Sequence, residues 1–209
     1  GEGLARAGGA KQDLVTVASN QPRVGNPDGL GLALLVEKSG QNNALRSEEF
    51  TAAGVWFAYG LGAAAPTVTA NAATGPLNAV TAERVQAAAT TAGQSSLLYQ
   101  TTTSIASTST ASVYIIGNST SGTTDVCARN DALTYTCAPC AFVASSWSRC
   151  SSTVVTTGSQ ILIGNATSFN GGTARAANDF FVLGAQLEAG TSASSYIPTT
   201  LSAATRTTE

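Results

Sequence analysis

Histidine is absent from the chain, charged residues make up only 11% of it and aromatic residues only 6%. Without histidine, a serine or cysteine nucleophile lacks its usual general base, so a Ser-His-Asp triad is excluded and the many serines read as surface and strand hydroxyls. Ten Lys and Arg against twelve Asp and Glu leave a formal net charge of −2. No basic stripe is present, so nucleic acid is not an expected partner. A surface this poor in net charge resists association weakly, and a homo-oligomer is expected. No run approaches the ~18 apolar residues that a spanning helix needs; the most apolar stretch, residues 55–66, is interrupted by glycines and closed by Pro66. Residues 1–6 have neither an apolar core nor an initiator methionine, so no signal peptide is expected there.

Alanine and valine supply much of the 43% hydrophobic content, with serine, threonine and glycine beside them, a mixture that suits thin, closely packed sheets. Short β-prone runs recur at roughly ten-residue intervals, as in a sandwich or jelly roll. They cover residues 67–71, 84–88, 96–101, 111–117, 125–129, 133–137, 141–144, 151–157, 160–164 and 179–188. Gly75-Pro76, Asn118-Ser119, Ser121-Gly122, Asn130-Asp131 and Asn170-Gly171-Gly172 punctuate them as turns. Residues 82–92 carry helix-favouring Ala, Glu, Arg and Gln, but the flanking threonines favour a strand. Towards the N-terminus, residues 14–18 and 30–37 are expected strands around a turn-rich block at 20–29, and residues 1–13 an extended arm. The expected architecture is all-β: a short N-terminal arm, then one antiparallel β-sandwich of jelly-roll type over residues 14–209.

Four cysteines, Cys127, Cys137, Cys140 and Cys150, crowd into one region, the outer two pairs enclosing equal lengths of chain. Zinc sites usually present two close pairs, whereas here one close pair exists and no histidine is available; no metal is expected. Antiparallel strands can bring such positions within bridging distance, so Cys127–Cys137 and Cys140–Cys150 are expected as disulfides, each stapling one hairpin. Four reduced, buried thiols are the alternative, and four cysteines allow three connectivities.

Glu37, Glu48, Glu49, Glu83, Asp125, Asp131, Asp179 and Glu188 are the carboxylates from which a glycoside-hydrolase pair would have to come, yet none sits in a recognisable hydrolase motif. Neither catalysis nor a cofactor is expected. Gly60-Leu61-Gly62 has no βαβ context and reads as a loop. Asp125 with Asn130-Asp131 could offer oxygens to calcium, but the spacing fits no specific loop and a turn is the plainer reading. Asn118-Ser119-Thr120 and Asn165-Ala166-Thr167 match glycosylation acceptors and read here as turns.

Several segments form a longer pattern. Gly31-Leu32-Ala33-Leu34-Leu35-Val36-Glu37 is followed by Asn42-Asn43-Ala44-Leu45-Arg46-Ser47-Glu48-Glu49-Phe50 and Val55-Trp56. Further on come Ala111-Ser112-Val113-Tyr114-Ile115-Ile116 and Ser146-Trp147-Ser148-Arg149. The chain closes with Gly184-Ala185-Gln186-Leu187-Glu188-Ala189-Gly190, Ser195-Tyr196-Ile197-Pro198-Thr199-Thr200 and Ala204-Thr205-Arg206. In this order the motifs resemble a concanavalin-like, carbohydrate-binding-like jelly-roll domain of structural proteins of tailed bacteriophages. The resemblance implies a virion location and a head-fibre, spike or capsid-decoration component with other virion proteins as partners, trimers being usual in fibres. Its alternative implication is a tail-fibre module that recognises a host surface glycan. Trp56, Tyr114, Trp147 and Tyr196 lie inside these motifs and are expected to pack the fold. Tyr59, Tyr99 and Tyr135 lie outside them. Because sugar rings pack C–H faces on aromatic side chains, these three are the candidate ligand-binding residues, with plain packing as the blander alternative.

Overall fold

The computed structural model describes residues 39–75, 80–154 and 156–207, and the backbone of two short paired strands, β1 (Arg23–Gly25) and β2 (Ala33–Leu35). The expected arm at 1–13 and strand at 14–18 lie outside the described residues. Of the expected strand at 30–37, the part at β2 is described, and β1 falls within the block expected to be turns.

Two five-stranded antiparallel sheets face each other. The front sheet contains β4 (Phe57–Leu61), β7 (Ser95–Ile105), β9 (Gly122–Asn130), β10 (Tyr135–Phe142) and β12 (Gly158–Asn165), in the order β10-β9-β12-β7-β4. The back sheet contains β5 (Thr67–Ala73), β6 (Ala82–Ala87), β8 (Ser109–Gly117), β11 (Ser148–Val154) and β13 (Asn178–Ala189), in the order β11-β8-β13-β6-β5. Strands β6 to β13 wind as β6-β13-β8-β11 against β7-β12-β9-β10, which is a jelly roll with β4 and β5 added at the edges. The all-β sandwich expected from the run spacing is therefore the fold, and residues 82–87 form a strand.

Period-two alternation decides which side chains meet between the sheets. Leu98, Val126, Ala128, Ile161 and Ile163 of the front sheet pack on Val85, Val113, Ile115, Phe180 and Val182 of the back sheet. Burying each of the larger of these stabilises the fold by roughly 1.5–3 kcal/mol. Their neighbours Leu97, Tyr99, Cys127, Arg129 and Leu162 consequently face away from the core.

The same alternation separates the two disulfides. Cys127 and Cys137 are direct cross-strand partners on β9 and β10, with Cα atoms 4.0 Å apart, and they staple that hairpin on its outer face. Cys140 lies an odd number of positions further along β10, so it points inward. It bonds to Cys150 of β11, Cα to Cα 5.6 Å. Because β10 and β11 are edge strands of opposite sheets, this second bond ties the two sheets together. It does not staple a hairpin, contrary to the expectation from spacing. Four cysteines paired on two different faces offer no common site for zinc.

Residues 40–50 and 190–206 cover part of the outer face of the back sheet. At Gly184 (φ 67°) a bulge shifts the register of β13, so that Phe180 and Val182 point inward before it and Ala185 and Leu187 after it. Gln186 and Glu188 are thereby turned outward, where residues 190–200 lie over them. A short pair, β3 (Gly40–Asn42) with β14 (Ala204–Arg206), closes the clasp. Asn42 is fully buried and uses its whole side chain. Its Nδ2 donates to Ala185 O (3.0 Å) and Ile197 O (2.8 Å), while its Oδ1 accepts from Ala44 N (3.0 Å) and Leu187 N (3.1 Å). Gln186 Oε1 accepts from Ile197 N at 2.8 Å, and Glu188 accepts from Ser194 N at 2.8 Å and Ser194 Oγ at 2.6 Å. Ser47 Oγ accepts from Thr199 N at 2.9 Å and hydrogen-bonds the buried Tyr196 hydroxyl, which sits edge-on to Tyr114. Burial pushes that phenol far above its usual range. Arg149 lies over Tyr114 and donates to Ser112 Oγ and Ser194 O. The motifs singled out in the sequence are thus mainly the parts of one buried polar clasp.

Glu83 gives this fold a pH signature. It shares the inward parity of Val85 and is 2% exposed; one oxygen accepts from Thr51 Oγ1 at 3.0 Å and the other, Oε2, has no partner. Burial raises its pKa, opposed by the Thr51 hydrogen bonds and reinforced by the Glu49 carboxylate. The folded chain therefore holds this proton more tightly than the unfolded chain, so stability falls as pH rises from the ordinary glutamate range through the raised value. Glu83→Gln is expected to flatten that fall when melting temperature is followed by calorimetry between pH 4 and pH 8; parallel profiles would mean that Glu83 titrates normally.

Candidate functional site

The described residues leave the outer face of the front sheet open, and cross-strand register arranges its side chains in rows. One row runs Cys137, Cys127, Leu162, Tyr99 and Phe57 across all five strands. The next runs Tyr135, Arg129, Gln160 and Thr101, and on the other side Leu97 pairs with Tyr59. Tyr99 and Tyr59 rise from β7 and β4, Arg129 and Tyr135 from β9 and β10, and the central strand β12 contributes Gln160 and Leu162 as floor. Two strand spacings separate β7 from β9, so the walls stand roughly 10 Å apart at their bases. The resulting groove has a volume of about 270 Å3. Tyr59, Tyr99 and Tyr135, far apart in the chain, all line it and are half-buried.

Ring geometry makes the walls firm. Phe57 stacks on Tyr99 with centroids 5.3 Å apart, and Tyr59 meets Tyr99 edge-on at 6.2 Å. On the opposite wall Phe169 stacks on Tyr135 at 4.1 Å, and the Arg129 guanidinium lies 5.5 Å from the Tyr135 ring centre. Such a site offers apolar planes, a phenolic rim, one amide and one cation above an apolar floor.

Phe169 reaches the groove because the loop after β12 is tied down, with Thr90, Ser95 and Asn165 contributing, by one buried carboxylate. Asp125 Oδ2 accepts from Ala166 N (3.0 Å) and Asn170 Nδ2 (2.9 Å), and Oδ1 accepts from Arg175 Nη2 (2.6 Å) and Nε (3.2 Å). The Asp125 and Arg175 side chains are 0% and 10% exposed. Asp125 is therefore the anchor of this loop, and the calcium arrangement weighed from sequence does not form. Asn130 caps its own turn by accepting from Thr134 N, and Asp131 accepts from Ser104 Oγ at 2.5 Å. Hydrogen bonds from the hydroxyls of Ser104 and Ser159 lower the Asp131 pKa. Among the described residues no group of three or more His, Cys, Asp or Glu gathers.

The other candidate carboxylates lie elsewhere. Asp179 pairs with Arg84 on the surface of the back sheet, Glu49 with Arg46, Glu48 accepts from the Tyr196 hydroxyl, and Glu188 belongs to the clasp. Glu37 lies outside the described residues. Arg129, Gln160 and Phe169 line the groove and Phe57 backs Tyr99, and the sequence did not single them out because only register and the return of the β12 loop place them there. A second depression, about 420 Å3, lies beside Thr67, Gln86 and Asn178 and is walled mainly by alanines, with no aromatic plane.

No protein-family model matches the chain, and no curated protein matches it in sequence. Several solved structures resemble it in shape. A family 11 carbohydrate-binding module from Clostridium thermocellum, solved with a beta-1,3-1,4-mixed-linked tetrasaccharide, is 11% identical over 72% of this chain and 96% of its own, with a TM-score of 0.49. A xylan-binding domain from Paenibacillus barcinonensis is 14% identical over 74% of this chain and 94% of its own, with a TM-score of 0.41. The enzymatically active domain of tailspike protein 4 from bacteriophage CBA120 is 12% identical over 70% of this chain, with a TM-score of 0.45, and the chain spans only 21% of its length. At these identities and scores the likenesses carry no argument about function, which rests on the groove itself.

Proposed function

We propose that this domain binds a glycan in the groove on the outer face of the front sheet, and that it does so as a recognition module of a tailed-phage particle. One observation carries the binding reading: three tyrosines from three strands, with Phe57 and Phe169, form two aromatic walls on the outer face of the front sheet, which the described residues leave uncovered. Pyranose C–H faces pack on such walls, while Gln160 and the phenolic hydroxyls address the sugar hydroxyls. The phage setting rests on the sequence motifs alone, and these are spent on the clasp of the back sheet, so they leave the front face for the ligand.

Binding proceeds without turnover. Glycoside hydrolysis ordinarily needs two carboxyl groups flanking the scissile bond, and the groove lining supplies none. The test is affinity electrophoresis and calorimetric titration against a panel of plant, algal and bacterial-surface polysaccharides, with reducing ends assayed in the same samples. Saturable retention by at least one polymer with no new reducing ends is the expected result. A chain that ignores the whole panel would contradict binding, and a steady rise in reducing ends would contradict its passive character.

A further inference from the structure

Resting on that glycan-binding reading, we infer that the ligand is an acidic glycan, one carrying uronate or similar carboxylate groups, and that Arg129 is the residue that selects it. Arg129 is the one charged side chain among the described residues lining the groove. The other arginines with described side-chain contacts are engaged: Arg46 with Glu49, Arg84 with Asp179, Arg175 with Asp125, Arg149 with Ser112 and Ser194, and Arg206 with Ser195. Arg129 has no ion pair among the described residues, and its buried Nε has no hydrogen-bond partner. Asp131, the carboxylate whose charge it feels, is turned to the hydroxyls of Ser104, Ser159 and Thr157.

A guanidinium half-buried beside an aromatic wall and without an ion pair among the described residues is a poor solution for stability alone, since desolvation weakens its hydration and no described carboxylate replaces it. It is a good solution for a ligand anion. The guanidinium presents a planar fork that matches a carboxylate bidentately, and the Tyr135 ring at 5.5 Å holds its plane. Arg129 and Tyr99 stand on the two strands flanking β12, in adjacent rows. A hexuronate ring packed against Tyr99 would then direct its C5 carboxylate across β12 towards the cation. A neutral hexose in the same place would leave the guanidinium unpaired and newly shielded from water.

The experiment compares matched polymers on the intact chain: polygalacturonate, alginate and hyaluronan, each against its carboxyl-reduced form, by calorimetric titration at fixed low ionic strength. At least one native polymer is expected to bind about tenfold or more tightly than its reduced counterpart, the usual scale for a charge-assisted hydrogen bond. Arg129→Gln should bring that ratio close to one, and Arg129→Lys should keep part of it. Equal affinity of the native chain for both members of every pair, or a preference that survives in Arg129→Gln, would overturn the inference and leave glycan binding standing. Failure of every polymer, acidic and neutral, in this set and in the wider panel would overturn both.

Discussion

Asp125→Ala is expected to destabilise the domain by about 3–5 kcal/mol, the range found when one partner of a buried ion pair is removed. Three groups each lose an acceptor at once: the Ala166 amide, the Asn170 side chain and the Arg175 guanidinium, whose side chain is nine-tenths buried. For a domain of this size such a loss lowers the melting temperature by roughly 6–20 °C. Asp179→Ala serves as the contrast, because Asp179 and Arg84 are each about one-third exposed and their pairing is screened by solvent. That change should lower stability by less than about 1 kcal/mol. Calorimetry of the two variants separates the effects, and equal small losses would mean that the β12 loop does not depend on Asp125. The loop also carries Phe169, so the Asp125 variant should lose glycan affinity even at temperatures where it is folded.

The second large effect concerns the ligand. Tyr99→Ala removes the ring that both Phe57 and Tyr59 lean on, so it takes away a stacking surface and loosens the rest of its wall. Glycan affinity is expected to fall about tenfold or more, the scale of an aromatic hot spot. Tyr99→Phe keeps the ring and should stay close to the native chain, losing only what the hydroxyl contributes. Titration with whichever polymer the native chain binds decides the point; unchanged affinity in Tyr99→Ala would move the site away from this wall.

Much of the sandwich could be read from the chain because its strands alternate at period two between turn residues. Where the sequence misled, the cause is local. No strand is expected at Phe57–Leu61, whose end overlaps the Gly60-Leu61-Gly62 stretch read as a loop: at the sheet edge its side chains are mostly exposed and no buried alternation marks it. Leu133, expected to begin a strand, sits in the turn with φ 64°, and the runs on either side of Pro139 fuse into one strand, because an edge strand tolerates a residue that lacks an N–H. The chain motifs pointed to segments that belong together, and the clasp around Asn42 explains why: their polar side chains satisfy one another across residues 40–56 and 185–200. Tyr59, Tyr99 and Tyr135 stood out only by elimination, as aromatics outside those motifs. Their partners Phe57, Phe169 and Arg129 were not legible, since a row across five strands exists only once register is known. The pairing of Asp125 with Arg175 likewise joins residues whose distance in sequence hides the contact.

The most direct measurement is chemical-shift mapping of the 15N-labelled domain titrated with an oligosaccharide of the best-bound polymer. If the outer face of the front sheet is the site, the largest saturable shifts fall on Leu97, Tyr99, Arg129, Tyr135, Gln160 and Leu162, with Phe169 following and the back-sheet clasp unmoved. Shifts centred on Thr67, Gln86 and Asn178 beside the alanine-walled depression, or on the clasp around Tyr196, would contradict the account.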